Sequence, residues 1–310
     1  YCNLGNIFKE FGKLEDAELL YRKAIEIKSD YAEAHSNLGI IFKEYGKLKE
    51  AELATRKAIE TNPDYALAHL NLSRLKYSNT DNEIWKNKLF SKSILNNQSR
   101  KDKINIYFAR ANILHNEKNY KESARYLKLA NKLKLNIQPS KPEIIFKKSK
   151  ELLIESNKKS NNQEEQGNYP QSIFIVGMPR SGSTLLESIL TMNISINSLG
   201  EAEILEQSFL ESEKVNQALS LAQVYWKRIK YLKKQTNMTT NKNLYNYQYA
   251  GIIANRIPNA KIIHCFRNPL DNILSIYRAH FARGNEYASS IIDCVDVYLD
   301  HEFVMTEYKK

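Results

Sequence analysis

The sequence predicts an α-helical repeat array followed by an α/β domain with a parallel sheet. Three observations support this fold class. A 34-residue segment is repeated near the start of the chain, an apolar stretch leads into a glycine-containing turn and then a helical pattern, and a second apolar stretch ends in an arginine followed by another helical pattern. The 310 residues are enough for two domains with a sizeable core.

Residues 1–135 are predicted to form the repeat array. The segment NLGNIFKEFGKLEDAELLYRKAIEIKSDYAEAH starts at Asn3 and returns at Asn37 as NLGIIFKEYGKLKEAELATRKAIETNPDYALAH, with small residues such as Gly5 and Gly39 where paired helices approach closely. The period resembles the tetratricopeptide repeat, a helix–turn–helix unit, and this resemblance implies an interaction module. A third unit starts near His69 and decays at SNTDNEIW, and a fourth, IYFARANILHNEKNYKESARYLKLANKL, fits again. Four units are enough to bury their apolar faces by stacking on one another.

The net charge of +11 is distributed unevenly, with +8 on residues 1–135 and +3 on the remainder. The basic residues are spread out, and no nucleic-acid-binding motif accompanies them, so we expect no nucleic-acid partner. One interpretation is a composition bias on solvated helix faces. The other is a weakly basic surface that attracts acidic partners. In either case the concave face of the array is the expected docking surface for a protein or peptide.

The cysteines and the hydropathy argue against a disulfide-rich, zinc-binding or membrane-spanning protein. Cys2, Cys265 and Cys294 are odd in number and far apart, which fits neither a disulfide framework nor a zinc site. No apolar run reaches the ~18 residues expected of a membrane span. A reducing, cytoplasmic location is the expectation. The chain starts at Tyr1 without an initiator Met and stops in MTEYKK, so we expect a fragment that is cut short at its C-terminus.

Residues 136–169 are predicted to connect the two domains. They contain Pro139 and Pro142 and a helical stretch, EIIFKKSKELLIES. The following NKKSNNQEEQGNYPQ has almost no apolar content, which predicts an exposed loop. The second domain is therefore expected to occupy residues 170–310.

The first motif of this domain is a strand, a turn and a helix. Residues 172–177, SIFIVG, predict a buried strand, and TLLESILT has helical spacing, so MPRSGS is the turn between them. Backbone N–H groups at such a turn form an anion cradle. The spacing Gly177-x4-Gly182-Ser183-Thr184 matches the phosphate-binding loop of nucleoside triphosphatases, G-x4-G-K-S/T, except that Ser183 stands in place of its lysine. The cation here is Arg180, which suits a single phosphate and its substituent close to the loop. A purely structural turn is the alternative interpretation.

A second motif, PNAKIIHCFRNPLDNILSIYR, covers residues 258–278. Residues 261–266 predict another strand, Arg267 follows it, and Pro269 suits the first turn of a helix. Ser275 lies about two turns along that helix. Arg267 and Ser275 can therefore converge on a second phosphate, although a surface charge or a cap contact is the alternative for Arg267. Two anion sites at the carboxyl ends of adjacent strands imply one ligand with two separated anionic groups.

Together, GMPRSGSTLLE and IIHCFRNPLDNILSIY resemble the sulfotransferase family. With the repeats upstream, the chain is similar to bacterial repeat-containing sulfotransferases, which are related to the protein-tyrosine sulfotransferases. The resemblance covers residues 170–310 and implies 3′-phosphoadenosine-5′-phosphosulfate as cosubstrate, with Arg267 and Ser275 on the 3′ phosphate. The residues implied to hold the 5′ phosphosulfate are Arg180, Ser181, Gly182, Ser183 and Thr184.

The same resemblance implies catalytic roles. Glu201, in NSLGEAEIL, would be the general base, and Lys242, in TTNKNLYNY, would stabilise the transferring group together with Arg180. No metal is expected. Glu203 is the alternative base, and a plain acid at a helix N-terminus is the alternative for Glu201.

The sequence departs from the family pattern in two places beside Lys242. Asn241 stands where the family has an aspartate, and Leu244 stands where it has a proline. The later segments of the family are missing, so we expect this chain to bind the nucleotide weakly or turn over poorly.

The expected function is sulfuryl transfer to a hydroxyl of a protein tyrosine, a carbohydrate or a small molecule. The repeat array favours a protein acceptor. One alternative is a non-catalytic repeat scaffold with a degenerate nucleotide-binding domain. Another is a nucleoside-triphosphate kinase, against which the missing loop lysine argues.

Overall fold

The structure is a computed structural model that describes residues 1–75, 82–158, 169–214, 219–231, 238–281 and 284–310. The chain divides into two compact units, Tyr1–Pro139 and Ser140–Lys310. Helices make up the regular structure described in the first unit, and the second contains a parallel sheet. The predicted fold class, a helical repeat array followed by an α/β domain, is confirmed.

The first unit is a succession of helices joined by short turns. From α1 to α5 each helix packs against the next in sequence, as the repeat pattern requires, whereas α5 packs mainly against α7 and α7 against α8. Those in the described residues are α1 (Cys2–Glu10), α2 (Leu14–Ile27), α3 (Ala32–Glu44), α4 (Leu48–Thr61), α5 (Ala66–Ser73), α6 (Asn82–Phe90), α7 (Arg100–Asn116) and α8 (Tyr120–Ile137).

The repeated small residues lie where two helices of a pair touch. A Cβ added to Gly5 would lie 2.7 Å from a ring carbon of Tyr21, and one added to Gly39 would lie 2.4 Å from the Thr55 hydroxyl oxygen. Both distances are far inside a normal contact. Gly5 and Gly39 are therefore required by close helix packing.

The third repeat unit is held together by a buried histidine. His69 Nε2 donates to the Pro63 carbonyl, and its Nδ1 accepts from Trp85 Nε1, both at 2.8 Å. His35, at the same repeat position, makes the equivalent bond to the Ser29 carbonyl. The histidines are thus packing residues. The break predicted at SNTDNEIW falls partly on residues 76–81, which lie outside the described residues.

The second unit is built on a four-stranded sheet whose described pairs are all parallel. Its spatial order is β2-β3-β1-β4. Because every strand runs the same way, the carboxyl ends lie at one edge, where ligands bind in open α/β sheets. The strands are β1 (Gln171–Gly177), β2 (Ile196–Ser198), β3 (Met238–Asn241) and β4 (Ala260–Cys265).

Both faces of the central strand β1 are covered, as expected for a parallel sheet. Phe174 and Val176 on one face are fully buried, and so is Ile175 on the other. The helices described in this unit are α9 (Pro142–Ser156), α10 (Ser183–Leu190), α11 (Ile204–Ser212), α12 (Leu221–Tyr231), α13 (Ala250–Arg256), α14 (Pro269–Tyr277) and α15 (Ile291–Glu307).

Helix α9, which falls in the predicted connector, packs within the second unit. The Ser149 hydroxyl donates to Asp300 on α15 at 2.7 Å, and Arg256 on α13 pairs with Glu155 at 2.7 Å. The exposed loop predicted after α9 falls mostly on residues 159–168, outside the described residues. Among the helices that the structure describes, none is long and apolar enough to cross a membrane.

Candidate functional site

The turn between β1 and α10 leaves backbone donors open at the sheet edge. Arg180 adopts a left-handed backbone conformation with φ of 69°, and Gly182, with φ of 98°, is the N-cap residue of α10. In the described residues no side chain caps this helix start. The N–H groups of its first turn are therefore available to an anion, and the helix dipole favours negative charge there.

The two glycines of this turn serve different purposes. A Cβ on Gly177 would lie 2.3 Å from the carbonyl oxygen of Cys265 on the neighbouring strand β4. A Cβ on Gly182 would meet no heavy atom within 4 Å. Gly177 is thus required by strand packing, whereas Gly182 leaves open space in front of the anion cradle.

The second predicted anion site follows strand β4. Asn268 caps α14, accepting from the N–H groups of Leu270 and Asp271 at 3.0 and 3.2 Å, and Pro269 occupies the first turn as predicted. The Arg267 guanidinium is 45% exposed and lies 3.9 Å from the Asp271 carboxylate. This distant, solvated pairing leaves most of the guanidinium's donors free for a ligand.

The two sites are joined by direct contacts. Arg180 Nε donates to the Ser275 hydroxyl at 3.2 Å, and Asn272 Nδ2 donates to the Pro179 carbonyl at 2.9 Å. Both Ser275 and Asn272 lie on α14. The structure therefore brings together the loop arginine and the serine that the sequence assigned to different ends of one ligand.

The predicted carboxylate and ammonium groups are paired. Glu201 Oε1 lies 2.5 Å from Lys242 Nζ, and the backbone N–H of Lys242 donates to the Gly200 carbonyl at 2.8 Å. The Lys242 side chain is 5% exposed and that of Glu201 is 68% exposed. Lys242 is thus buried and its backbone is fixed to Gly200, while the Glu201 side chain faces solvent.

The two departures from the family pattern leave this arrangement intact. Asn241 Oδ1 accepts from Asn246 Nδ2 at 2.9 Å and from the Asn243 N–H at 3.2 Å, which are acceptor roles that an aspartate would also fill. Leu244 starts a 3-10 turn and lines the cleft.

One cleft of about 770 Å³ receives most of the predicted groups. This volume lies within the range of ~300–1,000 Å³ typical of small-molecule and cofactor sites. Lys242 and Ser275 are not among its lining residues, but Lys242 contacts the lining residue Glu201 and Ser275 contacts Arg180. Its lining comprises Pro179, Arg180, Ser181, Gly182, Ser183, Thr184, Glu201, Glu203, Asn243, Leu244, Tyr245, Arg267, Phe281, Gly284 and Asn285.

Sequence reasoning missed Glu187, which fixes the loop helix to the sheet. This carboxylate is 7% exposed, and its Oε1 accepts from Ser198 on β2 at 2.9 Å and from Thr240 on β3 at 2.8 Å. Helical spacing places Glu187 on the same helix face as Ser183, four residues earlier, but it does not reveal the partners of Glu187 on the strands. The bonds align α10 with the strand that leads to Lys242.

Tyr245 was also missed. Its hydroxyl donates to Asn285 Oδ1 at 2.9 Å, and burial raises the pKa of Tyr245 to about 12. The phenol is therefore protonated at neutral pH and acts as a hydrogen-bond donor in the cleft wall. No local pattern distinguishes it from the other tyrosines of the segment.

Comparison with known proteins matches both parts of the chain to families. A family model described as "Sulfotransferase family" matches residues 170–219 and 210–308, and models described as "TPR repeat" and "Tetratricopeptide repeat" match residues 5–46 and 104–137. The chain thus combines tetratricopeptide repeats with a domain of the sulfotransferase family. All the predicted site residues lie within the ranges matched to the sulfotransferase family.

An uncharacterized protein of Aquifex aeolicus (strain VF5) is 33% identical to this chain over 130 residues. The match covers 36% of this chain and 17% of that protein. The chain thus spans less than a fifth of the length of this relative.

Proposed function

We propose that the chain transfers a sulfuryl group from 3′-phosphoadenosine-5′-phosphosulfate to an acceptor hydroxyl. The observation that carries this proposal is the placement of two arginines after adjacent parallel strands, where both line one cleft. Arg180 follows β1, and Arg267 follows β4. A ligand with anionic groups at two separated positions fits such a pair of sites.

The turn at Arg180 would hold the 5′ phosphosulfate. The N–H groups at the start of α10 supply hydrogen bonds that need no reorganisation, and Ser183 and Thr184 add hydroxyl donors. Ser183 replaces the lysine that reaches distal phosphates in nucleoside triphosphatases. The loop is accordingly suited to a phosphosulfate and poorly suited to a triphosphate.

Arg267 and Ser275 would hold the 3′ phosphate. The Ser275 hydroxyl accepts from Arg180, which leaves its own O–H free to donate to a phosphate oxygen. Donation from the arginine polarises that O–H and strengthens the second bond. One hydroxyl thereby couples recognition of the two ends of the nucleotide.

In the transfer step, the acceptor oxygen forms a bond to sulfur while the bond from sulfur to the 5′ phosphate oxygen breaks. The acceptor proton passes to the Glu201 carboxylate, and 3′-phosphoadenosine-5′-phosphate leaves. Negative charge builds on the bridging and equatorial oxygens, where Arg180 and Lys242 supply fixed cations. The interaction of these cations with the developing negative charge is strongest in a site from which water is excluded.

Donor binding would separate the Lys242–Glu201 pair. The Lys242 ammonium lies 2.5 Å from Glu201 Oε1. A sulfuryl oxygen that accepts a hydrogen bond from this ammonium would leave the carboxylate oxygen free to accept the proton of the acceptor hydroxyl.

We further propose a protein or peptide acceptor that presents a tyrosine hydroxyl. The tetratricopeptide repeats favour protein–protein interaction. The net charge of +8 on residues 1–135 suits a segment rich in acidic residues.

The test begins with calorimetric binding of 3′-phosphoadenosine-5′-phosphate to the full chain. Each of the Arg180→Ala and Arg267→Ala variants should bind about 10–100-fold more weakly, since each loses a charge-assisted contact of ~1.5–3 kcal/mol. Lys261→Ala is the matched control, because Lys261 is an exposed cation on β4 that does not line the cleft. Its affinity should equal that of the unaltered chain.

Transfer is then measured with the phosphosulfate donor and tyrosine peptides that differ only in flanking acidic residues. Sulfation of a peptide that is lost in Glu201→Gln would support the proposed transfer reaction. Nucleotide binding without transfer to any hydroxyl would favour the non-catalytic scaffold. Preference for a nucleoside triphosphate over the phosphosulfate nucleotide would favour a kinase and refute the proposal.

A further inference from the structure

A polar cluster lies away from the lining of the cleft, between strand β4 and helix α15. His264 on β4 and His301 on α15 approach with their Nε2 atoms 3.2 Å apart, and Glu302 follows on the same helix. His301 is 1% exposed and Glu302 is 44% exposed. One possible ligand atom from each of the three side chains lies within 4.8 Å of the others.

Two atoms of this cluster lack hydrogen bonds among the described residues. His301 Nδ1 and Glu302 Oε1 are both buried and lie 3.2 Å apart without the alignment of a hydrogen bond. Buried polar atoms are nearly always partnered, so an unpartnered pair in a native structure calls for an explanation such as an ion.

We propose that His264, His301 and Glu302 bind a divalent transition-metal ion, best suited to Zn²⁺, that fastens α15 to the edge strand of the sheet. Zn²⁺ takes imidazole nitrogen and carboxylate oxygen at about 2.0–2.2 Å in tetrahedral geometry, which places two ligand atoms about 3.3 Å apart. The separation of 3.2 Å between His301 Nδ1 and Glu302 Oε1 matches that spacing. The donor set of two imidazoles and one carboxylate selects Zn²⁺ over the oxygen-preferring Mg²⁺ and Ca²⁺.

With His301 and Glu302 as two ligands of the ion, His264 and a water molecule would supply the third and fourth. His264 is half-buried on β4, and one of its ring nitrogens lies within 4.8 Å of a ligand atom of both His301 and Glu302. The half-exposed side of Glu302 admits a water molecule. The exposed ammonium of Lys309 acts electrostatically on both imidazoles and opposes the cation.

The ion would stabilise the support of the second anion site without entering the reaction. Tyr298, one turn before His301 on α15, donates its hydroxyl to the Arg267 carbonyl at 3.5 Å. Fixing α15 to β4 therefore holds both the strand that precedes Arg267 and the helix that contacts its backbone. This role is independent of whether the cleft transfers a sulfuryl group.

The test uses the full chain, freed of any affinity tag and of metal by a chelator. Calorimetry with Zn²⁺ and visible absorption with Co²⁺, whose tetrahedral complexes absorb strongly, should show one equivalent bound per chain. His264→Gln and Glu302→Gln should each weaken binding at least tenfold. Asp296→Asn, an exposed carboxylate on the same helix, is the matched control and should bind as the unaltered chain does.

Two further measurements separate the site from a folding defect. Zn²⁺ should raise the midpoint of thermal unfolding of the unaltered chain but not that of His264→Gln. Lys309→Gln should tighten binding a few-fold, a change that no folding defect produces. Absence of stoichiometric binding would overturn the proposal, as would undiminished affinity in both His264→Gln and the half-exposed Glu302→Gln.

Discussion

Gly177→Ala should destabilise the second unit severely, whereas Gly182→Ala should mainly weaken nucleotide binding. The two residues belong to one turn and both have positive φ, of 146° and 98°. They differ in their surroundings. A Cβ on Gly177 meets the Cys265 backbone oxygen at 2.3 Å, and one on Gly182 meets nothing within 4 Å.

The magnitudes follow from these contacts. For Gly177→Ala, backbone strain of ~1–3 kcal/mol adds to a clash that only separation of β1 from β4 can relieve, which costs another ~1–3 kcal/mol. The sum is about 2–6 kcal/mol, and the clash is not relieved cheaply because the opposing atom belongs to a paired strand and not to a flexible side chain. Gly182→Ala carries strain alone, about 1–2 kcal/mol.

Hydrogen exchange resolved by peptide is the suitable assay. Peptides from β1 and β4 should lose protection in Gly177→Ala, while peptides of the first unit serve as an internal reference. Gly182→Ala should keep most of its protection but bind 3′-phosphoadenosine-5′-phosphate at least tenfold more weakly, since its Cβ enters the space before the helix N-terminus. A smaller stability loss in Gly177→Ala than in Gly182→Ala would refute the reasoning.

Two further predictions concern carboxylates. Glu201→Gln should lower kcat by about 10²–10⁴-fold through loss of the general base, while Glu203→Gln should stay within a few-fold, as steady-state kinetics will show; the reverse order would make Glu203 the base. Hydrogen bonding to Lys158, and then to Arg256, holds the pKa of Glu155 below its usual value. The stabilisation is therefore present above the unfolded pKa of about 4.5 and is lost as pH falls through the folded pKa. Glu155→Gln should cost about 1 kcal/mol in urea unfolding at pH 7, after allowance for solvent screening, and almost nothing at pH 3; an equal cost at both values would contradict the assignment.

Local patterns were sufficient to predict the site's framework. The strand predicted at residues 172–177 is observed at Gln171–Gly177, and that predicted at residues 261–266 is observed at Ala260–Cys265. Pro269 opens α14 as its fixed φ requires. These elements follow from apolar runs, turn residues and helix-start residues that lie next to one another in the chain.

Other features depend on residues far apart in sequence and could not be read locally. Glu187 is buried because it meets Thr240, and α9 belongs to the second unit because Ser149 meets Asp300. A run such as EIIFKKSKELLIES predicts a helix, but its spacing does not say against which surface the helix packs.

The sequence by itself determined the repeat period, the strand–turn–helix order and the residue types at both proposed anion sites, since each of these depends on residues that are neighbours in the chain. Only the tertiary structure decided that Arg180 reaches Ser275, that Lys242 is buried against Glu201, and that His264 meets His301. The physical reason is that parallel strands place their carboxyl ends side by side whatever their separation along the chain. Side chains there acquire partners, burial and charge neighbours that no local pattern contains.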